Sequence, residues 1–144
     1  MAFYSHEIGV RALVDTGAPF CIFGRAVAEA LDIDMGLGRG TDRRIHILGG
    51  EHDSRIATVG LQLPPFDGHT WETECAFLYA DLELSFAGVL GQEGFLDRWV
   101  ASFNMYDGYF VIEERDGFVQ RLGVDPLEVI QGTLDGEWDR PTEY

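Results

Sequence analysis

One short run carries most of the chemistry that the residue types allow. Ala12-Leu13-Val14-Asp15-Thr16-Gly17-Ala18 sets a carboxylate directly after apolar, strand-forming residues and directly before a glycine. In such an arrangement Leu13 and Val14 anchor a loop, Asp15 stands at its tip, Thr16 can lock the loop by hydrogen bonding, and Gly17 permits close backbone approach. Small Ala18 leaves room for a ligand. A bare Asp-Thr-Gly occurs by chance in roughly a few per cent of chains of this length, and the apolar flank and small following residue lower that rate by about two orders of magnitude. The chemistry on offer is that of a carboxylate acting as general acid or base on a bound water.

Other groups that could do chemistry are less organised. His6, His46, His52 and His69 are scattered, with no His-Glu-x-x-His and no paired-cysteine spacing, so they read as polar surface residues and no metal site or cofactor is expected. Gly36-Leu37-Gly38-Arg39-Gly40 misses the dinucleotide fingerprint and follows a helix, not a strand, which makes it a loop. Cys21 and Cys75 sit among apolar neighbours and read as two buried thiols. Arg43 and Arg44 read as solvated surface residues in a chain short of basic groups.

The elements that must position Asp15 are short and mostly extended. Val10 to Asp15 predicts a strand, Arg25 to Leu31 a helix, and Arg44 to Leu48 with Arg55 to Leu63 two strands of a hairpin whose tip carries Gly49 and Gly50. Thr70 to Tyr79 alternates Trp71, Thr73, Cys75, Phe77 and Tyr79 on one side, the period of a strand. Gly88 to Gly91 predicts a compact apolar turn and Gln92 to Trp99 a short helix. Val100 to Tyr106 and Tyr109 to Glu114 flank Asp107-Gly108, a strong hairpin signal, and Asp116-Gly117 predicts a further turn. From Gly132 onward acidic and turn-forming residues dominate. The fold class is therefore mainly β with one or two short helices, organised as a domain over residues 1–122 and an acidic tail over 123–144.

Composition narrows the partners. The chain has 144 residues, enough for one domain of ordinary size. Its 25 acidic side chains against 10 basic ones, all Arg, give a formal charge of −15, which repels a nucleic-acid backbone. No apolar run reaches membrane-spanning length and residues 1–8 lack the pattern of an export signal, so a cytoplasmic location and no membrane partner are expected.

Three features in one order resemble the retropepsin-like aspartic peptidases, and among them the bacterial single-domain relatives of the retroviral enzymes. Leu13-Val14-Asp15-Thr16-Gly17-Ala18 is similar to that family's catalytic loop. The hairpin around Leu48, Gly49 and Gly50 is similar to its flap over the substrate. Gly88-Val89-Leu90-Gly91 followed by Phe95-Leu96 resembles its apolar-apolar-Gly segment and short helix. Gln92 stands where retroviral members carry Arg. The resemblance spans roughly residues 10 to 114. It implies a closed β-barrel of the acid-protease type and an endopeptidase acting on a peptide or protein substrate without a cofactor. Only one Asp-Thr-Gly is present, so the resemblance also implies a homodimer with two Asp15 carboxylates at its two-fold axis, sharing one proton; this pairing of carboxylates is a standard example of separated titrations. The alternative is an inactive peptide- or protein-binding module on the same fold. The excess negative charge favours protonation of carboxylates, which predicts activity on the acid side of neutrality and a dependence on salt.

Overall fold

A computed structural model describes residues 6–36, 42–64, 69–83 and 85–123. The chain divides into two compact units, Met1–Asp97 and Arg98–Tyr144. The acidic tail expected over 123–144 lies, apart from Gly123, outside the described residues.

The first unit holds strands β1 (Ala12–Val14), β2 (Ile22–Phe23), β3 (Arg43–Ile47), β4 (Gly50–Gln62), β5 (Thr70–Leu78) and β6 (Gly88–Leu90), with helix α1 (Arg25–Ala30) between β2 and β3. They form one six-stranded sheet in the order β1-β6-β2-β5-β4-β3. The β3–β4–β5 part is an antiparallel meander, whereas β1 lies parallel to β6 and β2 parallel to β5. The expected mainly β class holds. Among the described residues barrel closure does not appear in the hydrogen bonding, because β1 and β3 are the two edges of this sheet. Side chains nevertheless join the β3 edge to β2 and the Phe20 segment before it. Ile22, Ile45, Ala76 and Leu78 form a buried cluster against which Phe20, Ile47, Ile56 and Leu82 pack, and the Arg43 guanidinium lies 4.5 Å above the Phe20 ring. A contact of that kind contributes about 0.5–1 kcal/mol where exposed.

In the first unit and the segment that follows it, three elements differ from the sequence reading. Gly88–Leu90 is a strand, not a turn: three residues are too few to show a period, and only the partners on both sides, β1 and β2, reveal the extended backbone. Residues 92–99 form turns in place of a helix. Gly94 adopts φ +92°, its N–H donates to the Asp97 carboxylate at 3.0 Å, and the Leu96 and Asp97 amides reach back five residues to Gly91 and Gln92. What holds this segment is tertiary. The buried Trp71 indole N–H donates to the Gly94 carbonyl at 2.7 Å, and the Trp71 and Phe95 rings lie 6.3 Å apart. The third difference is β4, which begins at Gly50, so that Glu51, His52 and Asp53 are strand residues whose outward side chains carry no apolar signal.

The second unit contains the antiparallel pair β7 (Val100–Asn104) and β8 (Tyr109–Glu113) and helix α2 (Arg115–Leu122). The hairpin is where the Asp107-Gly108 signal put it, with a longer connection. The Asn104 side chain accepts hydrogen bonds from the Tyr106 and Asp107 amides and donates to the Asp107 carboxylate, closing a four-residue loop. Asp116-Gly117 lies inside α2 and turns nothing. The helix ends at Gly123 in the left-handed region, φ +71°, and Arg121 holds Glu113 of β8 through two hydrogen bonds of 3.2 and 2.8 Å. A charge-assisted pair of this geometry raises the Arg121 pKa.

Candidate active site

Strand β1 delivers Asp15 to the end of the sheet. Val14 pairs with Leu90, and the Asp15 N–H donates to the Leu90 carbonyl at 3.0 Å, so the strand pairing continues to the last residue before the loop. The loop then closes on itself. The Gly17 N–H donates to Asp15 Oδ1 at 2.8 Å and the Ala18 N–H to the Asp15 carbonyl at 3.2 Å. An amide pointing at a carboxylate oxygen fixes its rotamer. A Cβ on residue 17 would stand 3.2 Å from that oxygen, which explains why glycine serves there. Asp15 is half-buried, Thr16 and Gly17 are exposed, and Ala18 is buried.

The segment after β6 grips the far side of the loop. The Gln92 and Glu93 amides donate to the Ala18 and Pro19 carbonyls at 2.8 and 3.0 Å, and the Gln92 side-chain amide donates to the Thr16 carbonyl at 2.8 Å. Such an approach leaves no room at residue 91. A Cβ there would collide with the Phe20 carbonyl and lie 2.7 Å from that of Ala18, so the apolar-apolar-Gly pattern has a steric cause. Phe20 completes the arm with a parallel bridge to Glu93.

Beneath the loop lie Cys21 and Cys75, both buried free thiols. The Ala76 amide donates to the Cys21 carbonyl at 3.0 Å, one step before the Ile22–Ala76 pair. The Cys75 thiol donates to Cys21 and is buried, so its pKa is raised and it stays protonated. These residues pack and brace; they are not exposed nucleophiles.

Leu48, Gly49 and Gly50 stand at the tip of the β3–β4 hairpin. Ile47 pairs with Gly50, leaving Leu48 and Gly49 as the two turn residues, with φ of +52° and +76°. Both angles positive is the turn that matches strand twist. Leu48 is 68% exposed, an apolar side chain presented by a two-stranded projection. The base of that projection is fastened inside: buried Ser54 donates to the Arg43 carbonyl at 2.6 Å, and Ile45 belongs to the core cluster.

Two contributors escaped sequence reasoning. Gln92 appeared only as a departure from the retroviral pattern, and its amide turns out to hold the Asp15 loop. Arg43 appeared as a solvated cation, whereas it covers Phe20. Neither contact has a local sequence signal, since each joins residues more than twenty positions apart. Among the described residues no group of three or more His, Cys, Asp or Glu side chains is placed to hold a metal ion.

The model of a family described as aspartyl protease matches residues 5–93, more than half of the chain. No curated protein and no solved structure matches it. The match ends within the segment that grips the Asp15 loop, and it takes in β1, the β3–β4 hairpin and β6. With an Asp-Thr-Gly carboxylate fixed between a parallel strand pair and a glycine-bearing segment, the chain belongs to the retropepsin-like aspartic protease family.

Proposed function

We propose that this protein is an endopeptidase that works as a homodimer, hydrolysing peptide bonds with a water held between two Asp15 carboxylates. The observation that carries the reading is the single Asp15-Thr16-Gly17 loop, whose carboxylate is already oriented by the Gly17 amide within one protomer. One carboxylate per chain is half of a general acid–base pair. In a two-fold assembly the ionised carboxylate takes a proton from the water as it attacks the peptide carbonyl carbon. The protonated partner donates to the carbonyl oxygen, and a second transfer to the amide nitrogen lets the amine leave.

An extended substrate fits the β3–β4 hairpin by strand addition, with Leu48 closing over it. A surface for the second copy is available on the β7–β8 hairpin. Phe103, Tyr109, Phe110 and Val111 are each close to half exposed, and the Phe103 and Phe110 rings pair across the strands at 5.9 Å. Exposed apolar residues concentrated on one two-stranded sheet suit burial against a copy of themselves. Two free buried thiols fit a reducing compartment such as the cytoplasm, and no helix among the described residues is long and apolar enough to cross a membrane.

The test is cleavage of a diverse peptide mixture between about pH 4 and 7, the range in which interacting carboxylates titrate, with dimer content measured by sedimentation. Products that appear with the native protein and vanish with Asp15→Asn are expected. Identical product profiles from native and variant dimers would overturn the peptidase reading and leave a peptide-binding module.

A further inference from the structure

The Gln92 side chain and the Gly17 amide meet on opposite sides of a single peptide group. Gln92 Nε2 donates to the Thr16 carbonyl oxygen at 2.8 Å, and the nitrogen bonded to that carbonyl carbon is the Gly17 amide, which donates to Asp15 Oδ1 at 2.8 Å. A hydrogen bond accepted at a peptide oxygen draws electron density from the nitrogen and makes its N–H a stronger donor, so successive bonds through one peptide reinforce one another. The bond also fixes the plane of that peptide, and with it the direction from which the N–H approaches the carboxylate.

From this relay we infer that Gln92 is a positioning residue for Asp15, acting through the Thr16–Gly17 peptide. The inference rests on the peptidase reading for its kinetic consequence and on geometry alone for the relay. Two features make the side chain suited to the task. Its own backbone amide is tied to Ala18 at 2.8 Å, so the side chain starts from a fixed point on the other flank of the loop. Gln92 and Thr16 are exposed in the protomer, so the side-chain bond contributes little to holding the protomer together. Its effect falls on the orientation of one carboxylate.

The deciding variants are Gln92→Met, which keeps length and removes the donor, and Gln92→Arg, which returns N–H donors to the same reach. Both leave the Gln92–Ala18 backbone bond in place. In the full-length protein the Gly17 amide proton resonance is expected to move upfield in Gln92→Met and to exchange faster with solvent, while amides of β4 and β5 stay put. In Gln92→Arg it is expected to return towards the native position. Turnover should follow, with kcat lowered about 10–100-fold in Gln92→Met, as for other residues that orient a reacting group from behind, and KM little changed. A Gly17 resonance that ignores the loss of the donor in a folded Gln92→Met protein would overturn the relay. A shifted resonance with native kcat would overturn the positioning role. Native protein without hydrolysis, but with a Gly17 resonance that responds to the variants, would sink the peptidase reading and uphold the relay.

Discussion

The two turns to which the proposal assigns a role are built in opposite ways. At Asp15 the chain is over-determined: the loop accepts or donates backbone hydrogen bonds at Asp15, Gly17 and Ala18, and a second strand end presses on it so closely that residue 91 has no space for a side chain. At Leu48-Gly49 the turn is held by the pairing of β3 with β4, and its largest side chain projects into solvent. A group that must meet a reacting atom within fractions of an ångström gains from rigidity. A group that must let substrate in and then cover it gains from a cheap range of positions. Both ends are anchored on one core, through Phe20 on one side and Ile45 and Ile47 on the other.

The contrast breaks most severely at Gly91. Gly91→Ala places a methyl against the Phe20 and Ala18 carbonyls, and overpacking of this kind costs about 1–3 kcal/mol. Thermal unfolding should show the loss of stability, and peptide cleavage should fall to background because the Asp15 loop must shift. Next is Trp71→Phe, which keeps an aromatic ring near Phe95 while leaving the Gly94 carbonyl without its indole donor. A drop of about 1–3 kcal/mol in denaturant unfolding is expected, with an unchanged denaturation midpoint counting against a tertiary anchor for residues 92–97.

At the other turn the sign reverses. Leu48→Asn replaces a side chain that dislikes positive φ with one that tolerates it, in the Asn-Gly pairing favoured at such turns. Stability should rise by up to about 1 kcal/mol, while KM should increase because the apolar tip is gone. A variant less stable than the native protein would show that Leu48 is held by more than its turn. The smallest expected effect is environmental. If the proposed homodimer shares one proton between its Asp15 carboxylates, a chain of formal charge −15 should cleave best on the acid side of neutrality, with an optimum that moves with ionic strength. A pH–rate series at two salt concentrations checks it, and an alkaline optimum would contradict it.

Legibility in the sequence followed the range of the interaction. The Asp15 loop and the Asp107-Gly108 hairpin were readable because glycine, an acidic residue and apolar flanks specify a turn within a few positions. The alternation of Thr70 to Tyr79 exposed β5 for the same reason. Residues 92–99 misled because Phe95, Leu96 and Trp99 have a helical spacing, yet Trp71 fastens Gly94 and Phe95, and Gly94 has a positive φ. Helix α2 was hidden by Asp116-Gly117, a turn signal that the structure absorbs inside a helix. Gln92 shows the limit most plainly, since its partner Thr16 lies 76 positions away.

The pairing of β1 with β6 also predicts an order of events during synthesis. Ala12 leaves the ribosome early, but its partner Gly88 arrives only after the β3–β4–β5 meander has been made. The meander joins neighbours in sequence and can form locally, whereas the β1–β6 pair must close a long loop of chain first. A nascent protein is therefore expected to hold its β3–β4 hairpin before it holds a finished carboxylate loop. Amide-exchange measurements on chains ending before Gly88 should find β4 and β5 protected and Asp15 to Ala18 open. Such an order would keep hydrolytic capacity out of every incomplete chain.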